Sequence, residues 1–195
     1  FAPKTNLKWR EFSLIHPNNY QMVCDNLSTN DNYHKLMTLL SKATKVFSYS
    51  IPLPYSDYQQ RSGCQIKQWS ELQKDISIYA SDYPFILISD ISNCYHTIYT
   101  HTLEWAGETV GYKKVGENLD ISIRRGQKNR THGLPVGPRI TDYLAEIVLS
   151  MIDREIEKMT NGTDFIGGRY RDNFYILCKS EADAQKLVKF ISICL

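Results

Sequence analysis

The chain has 195 residues, 42% of them hydrophobic and 23% charged, and a formal net charge of +2. That is long enough to bury a core and ordinary in composition for a globular protein, so a disordered or fibrous chain is excluded. The slight basicity permits a nucleic-acid partner without demanding one.

From the start to about residue 32 the sequence shows little clean periodicity. Trp9, Phe12, Leu14 and Ile15 offer some core, and Pro17-Asn18-Asn19 reads as a turn. Tyr33, Leu36, Met37, Leu39 and Leu40 are spaced as on a helix ending between Ser41 and Thr44. Val46 to Ile51 predicts a strand closed by Pro52 and Pro54. Tyr55 to Gln68 is polar, with Arg61 and Lys67 close together, and Trp69 to Ala80 predicts a helix that Pro84 must end.

Phe85-Ile86-Leu87-Ile88-Ser89-Asp90 then reads as a strand buried on both faces, with a carboxylate at its end. Asn93 suits an N-cap, Tyr95 to Ala106 a short helix, and Gly107 its stop. Glu108 to Asp120 reads as a connection, and Ile121-Ser122-Ile123 leads into the basic run Arg124-Arg125-Gly126-Gln127-Lys128-Asn129-Arg130. Taken alone, such a run is most often a solvated loop. The turn-rich Thr131 to Pro138 precedes the clearest helix, in which Ile140, Tyr143, Leu144, Ile147, Val148, Met151, Ile152, Ile156 and Met159 follow a 3.6-residue period. Pro138 suits its first turn, and Asn161-Gly162 ends it. Gly167 to Leu177 reads as two strands meeting at an Asp172-Asn173 turn. Ser180-Glu181-Ala182-Asp183 resembles a capping box opening a last helix.

Five scattered cysteines, Cys24, Cys64, Cys94, Cys178 and Cys194, form no CxxC pair, which argues against a disulfide scaffold or a structural zinc site. His96, His101 and His132 make no metal spacing and read as hydrogen-bonded or surface histidines. With no apolar run of about 18 residues and no signal-peptide pattern, the expectation is a soluble cytoplasmic protein without a membrane partner. In that compartment the Asn26 and Asn161 sequons carry no weight. The chain starts at Phe1 and stops within an apolar segment, as expected of a portion of a longer protein.

The order of strand, helix, loop, long helix, hairpin and helix predicts an α+β fold of ferredoxin-like type. An antiparallel sheet would be covered by helices on one side, with Asp90 and Asp172 on neighbouring central strands. An Asp at the tail of a buried strand is expected only if it is paired, capping or holding a metal. Two strand-borne acids of this kind are what two-metal phosphoryl transfer requires.

Three stretches in this order resemble the palm signatures of a reverse transcriptase. They are Ile88 to Tyr95 continued by Ile98-Tyr99-Thr100-His101, then Gln127 to Pro138, then Tyr170-Arg171-Asp172-Asn173 with the apolar strand after it. The resemblance is to the prokaryotic lineages associated with phage defence. It is clearest from about 83 to 191 and looser before that. It implies a partial helical fingers region over 1–82 and a polymerase palm over 83–195, with no thumb in the sequence. It implies that Asp90 and Asp172 hold two Mg²⁺ ions, with Mn²⁺ an alternative, and that the carbonyl of Ile91 completes one metal's shell. Tyr95 would stack under the sugar of the incoming nucleotide and reject a 2′-hydroxyl. Gly133, Pro135, Val136 and Gly137 would form the loop beneath the nascent base pair. Arg61 and Lys67 would grip the triphosphate. Arg124, Arg125, Lys128 and Arg130 would meet template or primer phosphates.

The departure is Asn173, where the family carries a second acid. An amide can coordinate but neutralises no charge, so the second metal is held more weakly. The implied activity is RNA-directed DNA polymerisation in antiphage defence, taking deoxynucleoside triphosphates, a primer and a template of RNA or DNA. A noncoding RNA or a second defence subunit are candidate partners. The alternatives are a catalytically silent nucleic-acid-binding or assembly subunit with a degenerate palm, and a template-independent or protein-primed DNA polymerase.

Overall fold

The structure, a computed structural model, describes residues 2–5, 8–40, 44–54, 64–65 and 69–194. Arg61 and Lys67 lie outside the described residues. In chain order the elements begin with β1 (Ala2–Thr5), β2 (Lys8–Arg10), α1 (Pro17–Ser28), α2 (Asn32–Leu40), β3 (Val46–Ser48), β4 (Leu53–Pro54) and β5 (Cys64–Gln65). They continue with α3 (Trp69–Tyr79), β6 (Phe85–Asp90), α4 (Cys94–Thr97), α5 (Thr102–Thr109) and α6 (Lys113–Gly126). The last are α7 (Arg139–Met159), β7 (Phe165–Tyr170), β8 (Asn173–Cys178) and α8 (Glu181–Cys194). They form two compact units, each assembled from two separate stretches: 1–39 with 93–148, and 40–92 with 149–195.

The second unit holds a four-stranded mixed sheet in the order β3-β7-β8-β6. The fold is α+β, but the sheet is not purely antiparallel, because β3 runs parallel to β7. Helices cover both faces rather than one. Gly168 has Leu72 of α3 above it, and on the opposite face Arg169 reaches Asp153 of α7. Strand alternation forces this split, since successive side chains point to opposite sides. Glu157 fixes the entry to β3: its Oε1 accepts the backbone N–H groups of Thr44, Lys45 and Val46 at 2.9, 2.6 and 2.9 Å.

Among the described residues β6 is an edge strand, bonded to β8 alone, and not the strand buried on both faces that its composition suggests. Phe85, Ile86 and Ile88 are 42%, 47% and 61% exposed. Apolar content cannot distinguish an edge from a centre, because both carry the same β-formers. Asp90 therefore stands on the strand next to the hairpin, as expected, but at the margin of the sheet.

The first unit departs further from expectation. Pro17 is not in a turn but opens α1, where its missing N–H costs nothing; the preceding His16 accepts a bond from Asn18 N–H at 3.3 Å. The helix expected over Tyr95 to Ala106 is interrupted. Tyr99 bridges to His132, and Thr100 N–H donates to the carbonyl of Thr131 at 2.8 Å. Asn93, expected as a side-chain cap, sits at φ 54° and makes no such bond; its carbonyl instead accepts from His96 and Thr97.

Gly107 does not stop a helix. It lies buried inside α5 against Gly116 of α6. Most of the stretch read as a connection, with Ile121-Ser122-Ile123 and the start of the basic run, is in fact α6. Its inward stripe is Gly116, Leu119, Asp120, Ser122 and Ile123, a helical spacing hidden because few of those residues are hydrophobic. Pro138, expected in the first turn of the long helix, precedes it, since α7 begins at Arg139. α2, α3 and α7 otherwise lie where the sequence predicts helices, and Asp183 N–H bonds the Ser180 hydroxyl at the start of α8.

α5 and α6 approach so closely that a Cβ on Gly116 would overlap the carbonyl oxygen of Leu103 and lie 2.9 Å from the Glu104 Cα. The obstacle is backbone and cannot swing aside. Gly116→Val is expected to destabilise the protein by about 3 kcal/mol, the upper range for overpacking, read as a lower urea-unfolding midpoint.

Candidate active site

The geometry of the second unit is set by the β7–β8 hairpin. Tyr170 pairs with Asn173, so the two loop residues are Arg171 and Asp172, and Asn173 begins β8 rather than sharing the turn. Arg171 has φ 56°, at a position where such hairpins usually carry glycine. A bulky residue in the left-handed region costs about 1–3 kcal/mol and persists only where its surroundings hold it.

They hold it closely. Arg171 N–H donates to the Ser50 hydroxyl at 2.8 Å, and its carbonyl accepts Nη1 of Arg169 at 2.8 Å. Arg169 is fully buried and is itself fixed by Asp153, which accepts Nε at 2.9 and 3.0 Å and Nη2 at 2.8 Å. Asp153 is 1% exposed. A buried guanidinium must be paired, and here the pairing also aims the loop.

The same register places Asp90 directly opposite Asn173 across β6 and β8. Opposed residues hold their Cβ atoms about 4.5–5.5 Å apart. One step further on, Ile91 N–H donates to the Asp172 carbonyl at 2.9 Å, which brings Asp172 beside the end of β6. Nδ2 of Asn173 donates to Oδ1 of Asp172 at 2.9 Å. Asp90 is exposed, while Asp172 and Asn173 are half-buried. Asp90, Ile91, Asp172 and Asn173 are thus gathered at one corner of the sheet.

Among the described residues no three His, Cys, Asp or Glu side chains are gathered for a metal. The donors at this corner are two carboxylates, an amide oxygen and main-chain carbonyls, all hard oxygen ligands. Among the described residues no Lys, Arg or His lies within ion-pair distance of either carboxylate. Mg²⁺ takes one or two carboxylates together with water and substrate phosphate, so this donor set fits it.

Tyr95, Gly133, Pro135, Val136 and Gly137 belong to the first unit. Tyr95 is half-buried in α4 and donates its hydroxyl to Oδ1 of Asp142 at 2.7 Å. Its carbonyl accepts Leu134 N–H at 2.6 Å, so the loop after Gly133 is bound directly to it. Gly133 has φ 87°, donates to the Ile98 carbonyl at 2.8 Å, and would bring a Cβ to 3.3 Å from the His96 carbonyl oxygen. Pro135 is buried, Val136 accepts Ser13 N–H at 2.8 Å, and Gly137, at φ 122°, lies under Phe12.

The basic run divides in two. Arg124 is committed inward: its Nε meets Asp120 Oδ1 and Oδ2 at 3.0 and 3.1 Å and its Nη2 meets Oδ2 at 3.0 Å. The nearly buried Asp120 also takes His101 Nδ1 at 2.9 Å. Arg125, Lys128 and Arg130 are exposed on the last turn of α6 and the loop after it. Gln127 braces that loop through Nε2, donating to the carbonyls of Arg130 at 3.0 Å and Gly133 at 2.8 Å.

Sequence reasoning missed Arg169, Asp153, Ser50 and Asp142. For Arg169 a signal exists: alternation from Phe165 puts it on the inward face of β7, where a charge requires a partner. No protein-family model matches the chain, and no curated protein matches it.

Asp153→Ala leaves the Arg169 guanidinium buried without its carboxylate, so a loss of about 3–5 kcal/mol in unfolding free energy is expected. The double variant Asp153→Leu, Arg169→Met is expected to recover most of that loss. Amide hydrogen exchange at Arg171, Asp172 and Asn173 should nevertheless stay faster than in the wild type, because the Arg171 carbonyl has lost its donor.

Proposed function

We propose that the chain is the palm-bearing part of an RNA-directed DNA polymerase of the reverse-transcriptase kind, acting in the cytoplasm in antiphage defence. The observation that carries this reading is that the backbone brings Asp90 and Asp172, two acids without an ion-pair partner among the described residues, to one corner of the sheet. The resemblance of three signatures in palm order supports it from the sequence.

In this reading Asp90 and Asp172 bind the cation carried with the nucleotide, and the Ile91 carbonyl adds a neutral oxygen. When bound, Mg²⁺ supplies Lewis-acid stabilisation of the reacting phosphate and lowers the pKa of the primer hydroxyl. Asp172 is positioned by the loop that Arg169 and Ser50 hold, which limits the reorganisation needed during the reaction. Tyr95 presents its ring to the sugar. Gly133 and Gly137 allow the backbone of the loop to come close to a base pair. Arg125, Lys128 and Arg130 meet phosphates of template or primer, while Arg124 serves the fold through Asp120.

One observation favours a second reading, a nucleic-acid-binding or assembly subunit without turnover. The Asn173 amide donates to Asp172, whereas an acid in its place would add charge for a cation.

Three variants of the full-length protein separate the two. Asp90→Asn and Asp172→Asn are each expected to lower Mg²⁺-dependent deoxynucleotide incorporation by about a hundred- to a thousandfold. Asn173→Asp is expected to reduce the Mg²⁺ concentration needed for half-maximal incorporation. A wild type that incorporates nothing while Asn173→Asp does would establish the silent subunit instead.

The cationic residues are tested separately by the salt dependence of binding to an RNA–DNA primer-template. Lys128→Ala and Arg130→Ala should each reduce the slope of log K against log salt by about 1. Arg124→Ala should leave the slope unchanged and lower thermal stability.

A further inference from the structure

We infer that Asp142 is the positioning residue for sugar selection, acting through the hydroxyl of Tyr95; the inference rests on the polymerase reading above. A tyrosine excludes a 2′-hydroxyl only as well as its ring is held, since a ring free to swing about χ1 and χ2 yields to the extra oxygen. Here one continuous segment holds the residue at its backbone and the ring at its tip. At the backbone, Leu134 N–H donates to the Tyr95 carbonyl at 2.6 Å. At the tip, the Tyr95 hydroxyl donates to Asp142 Oδ1 at 2.7 Å.

The acceptor is itself oriented. Oδ2 of Asp142 takes Nη1 of Arg139 at 3.3 Å, which leaves Oδ1 for the phenol. Asp142 lies in the first turn of α7, where the helix dipole favours a negative charge. Half-burial of Tyr95 keeps water from competing fully for its hydroxyl. Asp142 touches neither the sugar nor the reacting atoms in this account; it limits where the ring can go. Arg139 contributes one step further out.

The test compares the ratio of kcat/KM for a deoxynucleoside triphosphate to that for its ribonucleotide, using full-length protein. The set is wild type, Asp142→Asn, Asp142→Ala, Tyr95→Phe and the Asp142→Ala, Tyr95→Phe double variant. Loss of a hydrogen bond to a charged acceptor should lower the ratio about tenfold in Asp142→Ala and in Tyr95→Phe. The double variant should lose no more than either single one, because both remove the same bond. Asp142→Asn, whose amide oxygen still accepts, should keep most of the discrimination.

Tyr95→Phe deletes one oxygen and preserves the ring, so it reports on the bond even if Asp142→Ala folds poorly. Unchanged discrimination in Tyr95→Phe, or an additive loss in the double variant, would overturn the positioning role and leave the polymerase reading standing. A wild type that incorporates neither nucleotide overturns both.

Discussion

The buried pair of Arg169 and Asp153 is the interaction on which the candidate site depends. A guanidinium without solvent needs its donors satisfied, and Asp153 satisfies most of them with a carboxylate that is equally buried. The Nη1 donor directed at the Arg171 carbonyl links this demand to the loop. Arg171 is thereby kept in a left-handed conformation that its side chain disfavours, and the next residue is Asp172. Ser50, Arg169 and Ile91 between them bind the backbone on both sides of that acid. Asp172, half-buried at the sheet corner, thus owes its placement to charges that never meet solvent.

A comparable division runs through the first unit. Asp120 gathers Arg124 and His101 and removes both from the surface chemistry that a basic run suggests. The side chains left exposed are Arg125, Lys128 and Arg130, on a loop that Gln127 ties to Gly133. In both units, then, some charged groups hold the backbone and others remain available to a ligand. Burial separates the two kinds where residue type does not.

This separation explains what the sequence made legible. Periodicity identified α2 and α7, and the Ser180 cap identified the start of α8. The strands β6, β7 and β8 and the adjacency of Asp90 to the hairpin were also legible, because short apolar runs ended at acids. α6 was not, since Gly116, Asp120 and Ser122 lie on its buried side and dilute the hydrophobic signal. The break between α4 and α5 was hidden for a different reason. It answers to Thr131 and His132, some thirty residues further along the chain, which no local pattern can announce. The edge position of β6 depends on sheet order, which is likewise a property of the whole chain.

The interleaving of the two units has a consequence for synthesis. β3 and β6 are made well before the hairpin that both must join, and Asp90 precedes its partner Asn173 by about 80 residues. At ribosomal rates of about 5–20 residues per second, β6 waits on the order of ten seconds for β8. During that interval Phe85, Ile86 and Ile88 are displayed by a segment with no sheet to join. Unpaired apolar strands of this kind are prone to misassociation until their partner strand arrives.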